Sequence, residues 1–121
     1  MTVAGLPAAK TGEIPVNIDF SDFASPLPHP GEILREDYMA PLGLSAGALA
    51  KAMGLKDRTR IERLSREAQP VTADTALRLG RVFGTSPLFW LNLQAQHDLS
   101  AVAIASGEEL AGVELLPQLV A

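Results

Sequence analysis

A single glycine, Gly54, stands between two short stretches of helical periodicity, and this arrangement constrains the chain more than any other feature. Upstream, Ser45 is a natural N-cap, because its hydroxyl can accept from the free amides of a first helical turn. Leu44 and Leu49 stand at the N′ and N4 positions, the spacing of a hydrophobic staple. Leu49, Ala52 and Met53 recur at helical spacing as one apolar stripe. Gly54 suits the left-handed C′ position, and Ala50 is the small residue that lets a second helix approach closely. Downstream, Asp57 is a second N-cap residue and predicts a helix running to about Glu67, with Ile61 and Leu64 turned inward. Two short helices joined by a tight glycine turn make a helix-turn-helix, organised over residues 44–83.

The outward face of the second helix carries Arg58, Thr59, Arg60, Arg63 and Arg66. Arginine presents two donors at once to guanine or phosphate, so such a cluster suits a recognition helix in a major groove. Arg58, Thr59, Arg60 and Arg63 are expected to face the groove, with Lys56 and Arg66 nearer the phosphates. The bland alternative is a solvated helix face. Charge distribution favours the first reading. Residues 44–83 carry eight Lys/Arg against four acids, a net +4. The rest of the chain has two basic residues, Lys10 and Arg35, against ten acids, which brings the whole to −4. An acidic chain that gathers its positive charge in one segment has the electrostatic footprint of a nucleic-acid binder.

A length of 121 residues predicts one domain. The absence of cysteine excludes disulfides and thiolate zinc sites, and it suits a reducing cytoplasm. No apolar run approaches a membrane span, and the first ten residues lack the pattern of a signal peptide. The expectation is a cytoplasmic protein with no membrane partner. Aromatic residues are too few for base-stacking platforms, so double-stranded DNA is preferred over single strands. Nothing resembles a metal-ligand spacing, a phosphate loop or a nucleophile motif, so neither cofactor nor enzymatic activity is expected. His97 and Asp98 are sequence neighbours, about 100° apart on a helix, and make no catalytic dyad.

Around this centre the chain reads as five helices between an arm (residues 1–28) and a tail (residues 101–121), with 29–100 as the DNA-binding domain. The arm holds Pro7, Pro15, Pro26 and Pro28. Within it Ile14, Val16, Ile18 and Phe20 alternate with Pro15, Asn17 and Asp19, an edge-strand pattern. Pro30 suits the first position of helix one, with Ile33, Leu34 and Tyr38 buried and Pro41 and Gly43 as its stop. His29 reads as a surface or capping residue. Thr72 caps helix four, whose inner face is Ala76, Leu77, Leu79, Val82 and Phe83, and Gly84 ends it. Ser86 and Pro87 open helix five, along which Phe89, Trp90, Leu93 and His97 lie, and which can extend to about Ala105. Trp90 is expected to close the core. In the tail, residues 107–110 suggest a turn or short helix, and residues 113–120 suggest a strand interrupted by Pro117.

Two runs, HPGEILRE and TADTALRLGRVFGTSPLFWLNLQAQHDL, resemble the HigA family of antitoxins within the Xre/Cro-type helix-turn-helix group. The resemblance covers residues 29–99. It implies an all-α domain that dimerises on a palindromic operator and represses its own operon. It also implies a partner, a HigB-type toxin that is a RelE-like mRNA endonuclease. Two departures stand out: Ala46 replaces the polar residue common after the serine cap, and the turn through Gly54-Leu55-Lys56-Asp57 is one residue longer than usual. The alternative is a stand-alone helix-turn-helix regulator without a toxin.

Overall fold

The structure, a computed structural model, describes residues 23–119. The strand pattern at 14–20 lies outside the described residues. Helix α1 has three consecutive parts: an α-helical Pro30–Ile33, a π-helical Leu34–Met39 and an α-helical Ala40–Leu42. It is followed by α2 (Ala46–Ala52), α3 (Thr59–Ser65), α4 (Ala73–Phe83), α5 (Pro87–Ala105), α6 (Gly107–Ala111) and a 3-10 turn at Pro117–Leu119. The fold is all-α. Among the described residues there is no strand.

The helix starts follow the capping chemistry. His29 accepts at Nδ1 from the Gly31 amide at 2.8 Å, with Pro30 just inside the helix. Ser45 accepts from Ala48, Thr72 from Thr75 and Ser86 from Leu88, each through its side-chain oxygen. Asp57 differs. Its Oδ1 accepts from the Thr59 amide at 2.9 Å, but Arg58 occupies the cap position without a side-chain bond, so α3 begins one residue later than an Asp57 cap predicts.

The helix ends hold two corrections. Pro41 does not stop α1. The π-helical register, in which the Ala40 amide donates to the Arg35 carbonyl, hands over to a last α-turn whose opening tolerates a residue without an amide. Gly43, at φ 63°, ends it. α3 stops at Ser65, short of Glu67, because Glu67 itself adopts φ 63°. The Glu67 amide donates to Leu64 at 2.9 Å and the Ala68 amide to Arg63 at 2.8 Å, a Schellman closure without glycine.

Leu34, Leu49, Ile61, Leu64, Leu79 and Trp90 form the fully buried centre of the bundle. Trp90 packs beside Tyr38, Phe83 and Phe89, and its Nε1 donates to Thr85 Oγ1 at 2.8 Å, so its one polar group is satisfied. Leu77 is a further correction: it is 61% exposed. The inward stripe of α4 runs through Ala76, Leu79 and Phe83, and Leu77 lies about 100° away from Ala76. Gly31 permits a close approach of two backbones, since a Cβ there would lie 1.8 Å from the Leu64 carbonyl oxygen. The start of α1 therefore rests directly on the end of α3. In the tail, residues 113–116 are irregular and exposed, and Pro117 opens the 3-10 turn. Among the described residues there is no strand edge for the apolar tail to join.

Candidate nucleic-acid interface

α2, the turn and α3 form the helix-turn-helix. Gly54, at φ 73°, takes the left-handed position that its place in the sequence predicts. The Leu55 amide donates to Ala50 at 2.9 Å and the Gly54 amide to Lys51 at 3.0 Å, closing α2 as a Schellman motif. Two arginines from outside the motif hold its ends. Arg78 of α4 donates through Nη1 to the Met53 carbonyl at 2.7 Å, and Arg35 of α1 donates through Nη1 to the Ser65 carbonyl at 2.6 Å. Each places a cation on a helix C-terminus, where carbonyls are unpaired and the dipole is negative.

The side chains expected to meet DNA fall into two groups. Lys56, Arg58, Thr59, Arg63 and Arg66 are exposed, the first two at the turn and the entrance to α3. Arg58 pairs with Glu62 one turn on, Nε to Oε2 at 2.9 Å, while remaining 68% exposed. Arg60 is half-exposed, with Nη1 turned toward α4. Its Nη1 donates to Asp74 Oδ2 at 2.6 Å and to Thr75 Oγ1 at 3.4 Å. The same Asp74 oxygen accepts from Arg78 Nε at 3.0 Å. These hydrogen bonds hold the Asp74 carboxyl below its ordinary acidity range, as the Thr59 amide and hydroxyl do for Asp57. Both acids stay ionised among the arginines.

Two shallow concavities flank residues 55–57. One, of about 420 Å³, is lined by Gly54, Leu55, Lys56, Asp57, Arg60 and Arg78. The other, of about 440 Å³, is lined by Gly47, Ala50, Lys51, Leu55, Lys56, Asp57 and Arg58. With both pairs of walls bearing cations, the surface suits a polyanion. The roles of Arg35, Arg78 and Asp74 escaped sequence reasoning. The i,i+4 spacing of Asp74 and Arg78 was the one readable signal among them.

The histidines serve structure. His29 caps α1, and its ring lies edge-on to that of His97, with centroids 4.9 Å apart. His97 Nδ1 lies 2.8 Å from the Leu27 carbonyl oxygen, and the Leu27 amide donates to Ser100 Oγ at 2.7 Å. Asp98 Oδ1 accepts from Gln94 Nε2 at 2.9 Å, so Asp98 and His97 point to different partners. Among the described residues no helix is long and apolar enough to cross a membrane.

No protein-family model matches the chain. Individual relatives do. Virulence-associated protein I of Dichelobacter nodosus is 55% identical over 74 residues, which cover 61% of this chain and 68% of that protein. An addiction-module antidote protein of the HigA family from Coxiella burnetii superposes with a TM-score of 0.70 at 40% identity, covering 76% of this chain and 99% of that one. Pseudomonas aeruginosa antitoxin HigA, solved with the higBA promoter, superposes with a TM-score of 0.69 at 38% identity, covering 74% of this chain and 97% of that one. This chain belongs to the HigA family of helix-turn-helix antitoxins.

Proposed function

We propose that the protein is an antitoxin that binds its own operator as a dimeric helix-turn-helix repressor and neutralises a RelE-like, mRNA-cleaving toxin of HigB type by direct binding. The observation that carries the DNA half is the concentration of exposed cations on the turn and α3 of an otherwise acidic chain. The promoter-bound HigA of P. aeruginosa, similar over nearly its whole length, supports the same reading. The contacting set is Lys56, Arg58, Thr59, Arg60, Arg63 and Arg66 within a DNA-binding unit of residues 29–100, with Lys56 and Arg66 on phosphates. The dimer is supported by the exposed apolar side chains of Leu99, Val102, Val113 and Leu116 along the end of α5 and the tail.

Arg63→Ala is expected to weaken binding to the protein's own promoter fragment by about 1–3 kcal/mol and to reduce preference over a scrambled duplex. Unchanged binding at moderate salt removes Arg63 from the site. The toxin half is tested by co-purification with the product of the adjacent gene and by suppression of that product's mRNA cleavage. A neighbouring gene that encodes no small toxin leaves the stand-alone regulator in its place.

A further inference from the structure

Asp74 is the one acid among the described residues that touches two arginines of the helix-turn-helix region at 3.0 Å or less. Through Arg60 it reaches α3, and through Arg78, whose Nη1 is on the Met53 carbonyl, it reaches the end of α2. A single carboxylate on the first turn of α4 thus ties together both helices of the motif. Thr75, 1% exposed, adds a second acceptor for Arg60 Nη1 from the same turn. Among the described residues no hydrogen bond occupies Arg60 Nε or Nη2. That edge of the guanidinium carries two parallel N–H groups, the fork that engages a guanine or a phosphate with two bonds.

We propose that Asp74 is a positioning residue that sets operator selectivity through Arg60. It holds Nη1 inward, so the Nε/Nη2 edge is offered in one orientation rather than swinging on a flexible stem. Its negative charge also opposes the approach of phosphates from any sequence. DNA with a matching base edge offsets that repulsion with a bidentate bond, and mismatched DNA does not. The inference rests on the operator-binding reading above.

The test measures fluorescence anisotropy of the full-length protein on its own promoter duplex and on a scrambled duplex at one salt concentration. Wild type is compared with D74N, D74E, R60Q and D74N/R60Q, and circular dichroism melts confirm folding. D74N is expected to bind the scrambled duplex more tightly and to lose about tenfold of the promoter-to-scrambled ratio. D74E restores part of the ratio. R60Q loses the ratio to a similar extent, and the double variant loses no more than either single one, because both act through one contact. Equal rises on both duplexes, with the ratio unchanged, overturn the proposal and leave Asp74 as bulk charge. Equal losses on both leave it as a purely structural tie. If wild type itself fails to prefer its promoter, the operator reading falls first and this inference falls with it, an outcome distinct from the other two.

Discussion

At the scale of single residues, side chains that read as incidental carry the geometry. His29 accepts a backbone amide at Nδ1, so that nitrogen must be unprotonated. Burial lowers its pKa below the ordinary histidine value, and the neighbouring His97 lowers it further, against opposing pulls from Glu67 and Asp98. The unfolded chain therefore takes up this proton more readily than the folded one. His29's contribution to stability is complete above about pH 6.5 and is lost as pH falls below it, levelling off under the depressed folded value. Chemical denaturation at pH 7.5 and 5.5 is expected to show a drop in stability that His29→Asn, which can cap without titrating, reduces. An equal drop in the variant assigns the pH dependence to other groups. The cap was foreseeable from its place before Pro30. The burial was not, because it depends on α5 bringing His97 alongside.

At the scale of elements, starts were more legible than ends. Ser45, Thr72 and Ser86 announce helices because one hydroxyl and one amide suffice to define a cap. Gly54 and Gly84 announce ends because only glycine enters the left-handed region freely, and both do so here. Glu67 defeats that logic, and so does Pro41, whose helix survives through a change to π register. Such features depend on packing from distant parts of the chain, as does Gly31, which reads as an ordinary residue of helix one but lies against the backbone of α3. Two substitutions should therefore act in opposite directions. Gly31→Ala is expected to destabilise the fold by about 1–3 kcal/mol or more, because backbone must move. Glu67→Gly is expected to stabilise it by about 0.5–1 kcal/mol through relief of left-handed strain. Thermal melts of the two variants check both signs.

At the scale of the molecule, charge is divided rather than averaged. The cations on the turn and α3 were readable by counting, but their allocation was not. Arg35 and Arg78 hold helix ends, Arg60 is shared with Asp74, and Lys56, Arg63 and Arg66 are exposed and in no ion pair among the described residues. Only a fold that brings α1 and α4 against the motif could assign them. The apolar end of α5 and the tail are exposed on the single chain, so the proposed dimer should appear at micromolar concentration in analytical ultracentrifugation. A strictly monomeric species would leave operator binding to one half-site.

Sequence-specific operator binding is tested by titrating the protein against its own promoter fragment and a scrambled fragment over a range of salt. An operator-binding repressor is expected to bind the promoter tightly, to prefer it by about a thousandfold or more over the scrambled duplex, and to weaken steeply with salt. Weak and equal binding to both fragments would contradict that expectation, and would reduce the basic face to a solvated surface.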